Sequence, residues 1–404
     1  MKISIFMMCR DEENLVEQWL RYHGDIFGYD NIYIFDNGSS DNTKGILKSF
    51  EERGVHIDFS KQGRKAFDDK GSIFEGIIKQ MDIDNPSDFY FPLDCDEFIC
   101  VEKEDGTFSS NREDIFLYLN TIKYKKETFM IGGGIDNNPY APGFFRLSLG
   151  QRKCFFGKNN CAYLDHGFHI GRSVHSADTI KTKIFYFHFH YRPYDIMIRS
   201  SINKIGEDFT NRTRSQIYEY MDSGLPGFHV AENFLIKELN YKIGFIKNKY
   251  IYIRSIIDYM VENNIKYPFY EYAITDSEKT LLLKEFNSLP LPWSYGFIDL
   301  INEKDGIFVI SGWCLTRDLK VPVDFSIWIG TVEIQNFQVK KVARPDVVHE
   351  HPGAEEMCGL VIEIPIFYLQ EINAHGKIRI SPKPEKVFLQ NYHSFSFSKS
   401  LTEN

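Results

Sequence analysis

The chain has 404 residues, 43% of them hydrophobic and 15% aromatic. That is too long for one ordinary core and describes a globular protein of two or three domains. Its formal net charge of -9 argues against nucleic acid or an anionic membrane as the main partner, although a local basic cluster could still meet a phosphate.

Seven cysteines (Cys9, Cys95, Cys100, Cys154, Cys161, Cys314 and Cys358) form no C-x-x-C pair and leave an odd count. This pattern reads as reduced intracellular thiols, and the spacing of Cys154 and Cys161 is poor for zinc. The apolar run Ile3–Cys9 stops at Arg10-Asp11-Glu12-Glu13. It is too short for a signal peptide and reads as a first buried strand. No apolar window is long enough to span a bilayer, so the expected location is the cytoplasm, with any membrane contact peripheral at its inner face.

Leu15, Trp19, Leu20, His23 and Ile26 lie at helical spacing, and Ile32–Phe35 reads as a buried parallel strand ending at Asp36. Ile46, Leu47 and Phe50 begin another helix, so a βαβ unit delivers Asp36 to the sheet edge where open parallel sheets bind ligands. A weak strand at His56–Phe59, a polar loop over Ser60–Lys70 and a helix through Ile73–Met81 follow. They lead into Phe89-Tyr90-Phe91-Pro92-Leu93-Asp94-Cys95-Asp96-Glu97-Phe98-Ile99. Alternating strands and helices predict a doubly wound α/β sheet. In an extended chain Asp94 and Asp96 share a face, and two carboxylates so close call for a divalent cation; an acidic turn is the plainer alternative. Pro92 is out of place in a central strand.

These residues carry a resemblance. Arg10-Asp11-Glu12, Trp19, Tyr22-His23, Tyr33-Ile34-Phe35-Asp36-Asn37-Gly38-Ser39-Ser40-Asp41 and Asp94-Cys95-Asp96-Glu97-Phe98 look like the ordered motifs of the bacterial GT-A glycosyltransferases of the family-two-like and family-ninety-two-like group. The chain departs at Arg10 and Asp11, where that group usually has Lys-Asn, and at Gln18, where glutamate is usual. The resemblance implies a Rossmann-like GT-A domain that uses Mn2+ or Mg2+ and a nucleotide-diphosphate sugar, with UDP favoured. It further implies Asp36, Arg10, Asp11 and Asp94 as donor contacts, and inversion at the anomeric carbon.

Further along, a helix is expected from Asn111 to Leu119, and a strand at Phe129–Ile131 enters Gly132-Gly133-Gly134-Ile135-Asp136. Three glycines permit close approach to a ligand or simply a flexible loop. Histidines then become dense: His166, His169, His175, His188 and His190, with His229 beyond. His188 and His190 share a face if their segment is a strand, and imidazole is a common partner of carboxylates at a divalent site. The resemblance points to His190 as a metal or diphosphate ligand, completing a set with Asp94 and Asp96. Candidate bases for an attacking hydroxyl are Asp165, His166, His169 and Glu232, with Asp165 preferred, and Glu97 could reach the acceptor. Pro193 opens a helix carrying Arg199 and Lys204, which could meet a diphosphate.

Helices are expected near 214–222, 253–263 and 276–287. The prolines of Ser288–Ser294 suggest an interdomain joint. Short β-rich runs after it predict a β-sandwich. Arg344-Pro345-Asp346-Val347, Gly353 and Cys358-Gly359-Leu360 are similar to accessory β-domains appended to bacterial glycosyltransferases. In that sandwich Trp313 and Trp328 read as core rather than sugar platforms.

The domain reading is thus a catalytic core at 1–192, a helical extension at 193–292 and a sandwich at 297–395, through which an oligomer could form. The function expected is transfer of a sugar to a glycan acceptor in surface polysaccharide synthesis. Two alternatives stand beside it. One is a phosphohydrolase with Asp94 as nucleophile and Asp96 as acid/base; the other is a non-catalytic glycan-binding protein acting through the sandwich.

Overall fold

Ile3–Cys9 is buried at every position. A run with no polar face cannot lie at a sheet surface, so it becomes the middle strand, β1. Helix α1 (Val16–Phe27) lays Val16, Trp19, Leu20, His23 and Phe27 inward and ends at Gly28, whose φ of 88° suits glycine. Then come β2 (Ile32–Asp36), α2 (Thr43–Glu51), β3 (His56–Asp58), α3 (Gly63–Asp68), α4 (Lys70–Asp84) and β4 (Phe89–Leu93). Strand β1 pairs in parallel with β2 and β4, and β2 with β3. The ends of β1, β2 and β4, at Cys9, Asp36 and Leu93, therefore share one edge. The stretch expected as a loop over Ser60–Lys70 holds α3 and the start of α4. Its polar residues hid the helix, because Lys70 is buried on a carboxylate rather than solvated.

The chain continues through β5 (Glu97–Glu102), β6 (Phe108–Ser109), α5 (Arg112–Ile122), β7 (Thr128–Met130), β8 (Gly134–Asn137) and β9 (Phe144–Ser148). Next are β10 (Cys154–Gly157), β11 (Cys161–Leu164), β12 (Gly171–Ser173), β13 (Thr179–Lys181), β14 (Ile184–His188), α6 (Tyr194–Ile205), α7 (Arg214–Asp222) and β15 (Ile251–Tyr252). One sheet has the order β13-β7-β10-β4-β1-β2-β3 and a second the order β15-β9-β8-β14-β5-β6. Pro92 is tolerated because the β10 ladder covers only Phe89 and Tyr90 of β4 and stops before it.

The computed structural model describes residues 1–148, 150, 152–225, 227–288, 294–316, 319–322, 324–374, 376 and 378–382. Contacts group the chain into two units. The first is Met1–Met197 with Gly244–Asp276; the second is Ile198–Ile243 with the chain from Ser277 onward. Residues 193–292 fall in both. The proline-rich joint lies largely outside the described residues, as do Pro226, Val323 and positions 383–395.

In the second unit β16 (Ser294–Lys304), β17 (Ile307–Thr316), β18 (Phe325–Ile329), β19 (Val332–Ile334), β20 (Gln338–Val342), β21 (Gly359–Pro365) and β22 (Ile378–Pro382) form two sheets, β16-β17-β21-β20 and β19-β18-β22. All their pairings are antiparallel. Residues of both sheets share one core, which includes Trp313. Helix α7 belongs with this unit: Tyr218 meets Trp328 edge-on with ring centres 5.4 Å apart, and Asp222 pairs with the buried Arg379. The chain is thus a mixed α/β protein with a parallel-rich sheet and, in its C-terminal region, further antiparallel sheets with short helices at Pro345–Glu350 and Ile366–Glu371. Among the described residues no helix is long and apolar enough to cross a membrane, and all seven cysteines are buried and free.

Candidate functional site: an acidic turn between lysines and histidines

The site begins where β4 ends. Asp94-Cys95-Asp96 is not extended: the chain turns, with the Glu97 N–H donating to the Asp94 carbonyl at 3.1 Å. Strand alternation therefore does not apply, and the carboxylates of Asp94 and Asp96 take different partners.

Asp94 faces two lysines. Lys70 Nζ on α4 lies 3.1 Å from Oδ1, and Lys153 Nζ, just before β10, bonds Oδ2. Both lysine side chains are almost fully buried while Asp94 keeps 36% exposure. The ring of Phe168 supports both ammonium groups, 4.5 Å and 4.8 Å from its centre. Glu97 is buried, accepts the Asp94 N–H at 2.8 Å and lies 3.4 Å from Lys153. Burial pushes its carboxyl up to about 7, with Lys153 pulling the other way. Burial would raise Asp94 too, but Lys153 and Lys70 hold it well below the usual carboxylate range.

Asp96 faces the histidines. The antiparallel ladder of β14 on β5 sets His188 opposite Glu97, and the N–H of Phe189 bonds the Asp96 carbonyl at 2.7 Å. His188 and His190 flank Phe189, with their ring centres 4.9 Å apart. Ligand atoms of Asp96, His188 and His190 all lie within 4.8 Å of one another. Among the described residues this is the cluster that could hold a metal ion, and Asp94 is not a member of it. His188 Nε2 is 3.7 Å from Asp96 Oδ2, and Nδ1 is 3.1 Å from Asp136 Oδ1. Burial opposes charge on His188, yet Asp96 and Asp136 raise it to about 9. Burial likewise opposes charge on Asp96, but His188 holds it below the usual carboxylate value.

The rim is formed by the loops after β1 and β2, which are stitched together. The Asp11 carboxylate accepts the Ser40 N–H at 2.6 Å and its hydroxyl at 3.0 Å, and the Asp11 N–H donates to Ser39 Oγ at 3.0 Å. Asp11 takes a left-handed φ of 56° to do so. The Glu12 N–H donates to Thr43 and the Glu13 N–H to Asp41. Asp36 is fully buried and accepts the N–H groups of Gly38 and Ser39, with Lys44 Nζ 3.9 Å away. Arg10 is exposed and 3.4 Å from Asp11. Glu12 takes both oxygens to Arg192, at 3.0 and 2.7 Å, which ties the first loop to the segment after His190.

The remaining candidates take their bonds apart from the acidic turn. Asp165 closes its own turn, accepting Ile170 N–H at 2.7 Å and Gly167 N–H at 3.3 Å. His166 bonds the Asp68 carbonyl and His169 the Arg152 carbonyl, each through Nδ1 at 3.1 Å. This turn carries Phe168, so it supports the two lysines. Lys204 and the exposed Glu232 belong to the second unit, where Lys204 lies near His229.

Sequence reasoning missed Lys70, Lys153, Asp136, Arg192 and Glu12 as members of this network. Glu12 stands in the first motif and Asp136 behind a glycine run, but neither pattern names a partner, and a lysine at the start of a helix, such as Lys70, carries no signal.

No protein-family model matches the chain, and no curated protein matches it. Among solved structures, S. aureus TarS aligns over 97% of this chain and 78% of that chain at 10% identity, with a TM-score of 0.30. Residues 1–349 of S. aureus TarS in complex with UDP align over 77% of this chain and 96% of that one, at 10% identity and a TM-score of 0.29. Glucosyl-3-phosphoglycerate synthase from Mycobacterium tuberculosis in complex with Mn2+ and UDP-glucose aligns over 34% of this chain and 44% of that chain, at 12% identity and a TM-score of 0.21. With superpositions this partial, the functional reading rests on the site itself: a carboxylate and two imidazoles converging beside the edge of a parallel sheet.

Proposed function

We propose that the chain is a metal-dependent glycosyltransferase that moves a sugar from a nucleoside-diphosphate donor, with UDP favoured, to a hydroxyl of a glycan acceptor. The observation that carries this reading is the convergence of Asp96, His188 and His190 at the sheet edge where β2 delivers Asp36. The ordered motifs of the first hundred residues support it. These three residues would hold the ion, and their mixed oxygen and nitrogen set suits Mn2+ better than Mg2+, which prefers oxygen alone. A cation there offsets the charge that develops on the leaving diphosphate.

The nucleoside is assigned to the rim formed by Arg10–Glu13 and the turn after Asp36, with Arg10 as its exposed cation. Asp165 is the proposed base. Each of its oxygens accepts one N–H, which leaves lone pairs for an acceptor hydroxyl. Attack by that hydroxyl in a single displacement would invert the anomeric centre. Glu97 and the two lysines position the acidic turn. The phosphohydrolase alternative is disfavoured because Asp94, with an ammonium group on each oxygen, is a poor nucleophile. Surface-polysaccharide synthesis at the cytoplasmic side of the membrane is the setting that the motif resemblance suggests.

The test is a panel of nucleotide sugars, assayed for donor hydrolysis and thermal shift with and without Mn2+. One donor, expected to carry UDP, should respond only when Mn2+ is present. A panel with no metal-dependent response would overturn the proposal, and release of phosphate from aryl phosphates alone would favour the hydrolase.

A further inference from the structure

The ligand set proposed above leaves unexplained how two imidazoles, one on an exposed turn, are held still. The answer lies on β8, in a stretch to which no role has been given. We propose that Asp136 and Asn137 are the positioning pair of the metal centre: Asp136 orients His188, and Asn137 fixes the backbone that carries His190. The inference rests on the glycosyltransferase reading's ligand set, though not on its donor or acceptor.

Strands β8 and β14 run in parallel with Asp136 opposite His188. The Nδ1–H of His188 donates to Asp136 Oδ1 at 3.1 Å, so Nε2, 3.7 Å from Asp96, is the nitrogen left to face an ion. A carboxylate on the far nitrogen of a metal-binding imidazole fixes its tautomer and its ring plane and strengthens it as a ligand. Asp136 is 7% exposed. It is backed from the other side by Arg146, its partner in the β8–β9 ladder, at 3.9 Å. The next residue acts on the second histidine through the main chain. Asn137 is buried; its amide donates to the Tyr191 carbonyl at 2.8 Å and accepts the Tyr191 N–H at 3.0 Å. His190 is thus bracketed between Phe189, bonded to Asp96, and Tyr191, bonded to Asn137.

The glycines before Asp136 have their reason here. A Cβ on Gly134 would stand 3.0 Å from the Tyr186 ring, and one on Gly132 only 2.4 Å from Phe185. Side chains at those positions would push β8 off β14 and separate Asp136 from His188.

The experiment is titration of the full metal-free chain with Mn2+ alone, followed by calorimetry and by the electron paramagnetic resonance of free Mn2+. It compares the native protein with D96N, D136N and D136A, each checked for folding by near-ultraviolet circular dichroism. The native chain should take one ion and D96N should lose it. D136N, which keeps shape and an acceptor oxygen, should bind about tenfold more weakly, and D136A up to about a hundredfold. This order should appear in folded proteins; D136A serves should D136N fail to fold. If D96N loses the ion while both Asp136 variants bind within about twofold of the native chain, the positioning role is overturned and the ligand set stands. A lowered melting temperature with affinity intact has the same meaning, because it marks a structural role alone. If the native chain takes no Mn2+, or D96N binds as it does, the ligand set itself fails.

Discussion

Asp94 and Asp96 are two residues apart and chemically identical, yet their surroundings give them different work. Asp94 sits between two buried ammonium groups that need its charge; Asp96 faces two imidazoles that leave its carboxylate available. Removing the Asp94 charge should therefore harm the fold more than the metal. Asp94→Asn leaves Lys70 and Lys153 without a full counter-charge in a desolvated place. It is expected to cost about 3 kcal/mol of stability in urea denaturation while Mn2+ affinity changes by less than about threefold. Loss of Mn2+ binding in a folded D94N protein would return Asp94 to the ligand set. The turn at Cys95-Asp96 was not legible in the sequence, because D-x-D reads equally well as a strand end or a turn.

At the scale of elements, α1 explains the aromatic motif residues that precede the acidic turn. Trp19 Nε1–H donates to the Glu97 carbonyl at 2.9 Å, and the Tyr22 hydroxyl donates to the Ile99 carbonyl at 2.7 Å. His23 completes the set. Its Nδ1–H donates to the Trp19 carbonyl at 3.0 Å, and Nε2 accepts the Ile99 N–H at 3.3 Å. One helix face thus satisfies the backbone of β5 directly after Asp96. Both nitrogens of His23 are committed in its neutral form, and burial depresses its pKa to about 3. Below about pH 6.5 the unfolded chain takes up a proton that folded His23 refuses. Stability is then lost as pH falls from about 6.5 toward 3, by roughly 2 kcal/mol at pH 5 from this group. Denaturation at a series of pH values should show that loss, and His23→Gln should remove its share of the slope. An unchanged slope in the variant would refute the assignment.

At the scale of the whole molecule, the main cores of the two units are built on different patterns. The first unit interleaves helices with a sheet whose central strands are buried throughout; the second alternates inward and outward residues in antiparallel sheets. The second unit also draws in α7, through the buried pair of Arg379 with Asp222 at 2.8 Å and the stacking of Arg379 over Tyr218 at 4.4 Å. Asp222→Ala leaves a buried guanidinium without its carboxylate. It is expected to destabilise this unit by about 3 kcal/mol, read as faster hydrogen exchange in β18 and β22. Unchanged protection of those strands would show that the pair contributes little.

Much was legible in the residues themselves. Ile3–Cys9, Ile32–Phe35 and Phe89–Leu93 announce buried strands, Trp19 and Tyr22-His23 announce a helix face, and three acids end a strand beside a chain rich in histidine. These features are local: apolar periodicity is a property of neighbours in sequence, and burial of that pattern dictates strand or helix. Which carboxylate meets which partner was decided only by the tertiary structure. Lys70 and Lys153 reach Asp94 from 24 and 59 positions away, and Asp136 reaches His188 across 52. Those meetings are set by strand register and by a turn at Asp94-Cys95-Asp96, and a register is fixed by the packing of whole sheets rather than by any one stretch of chain.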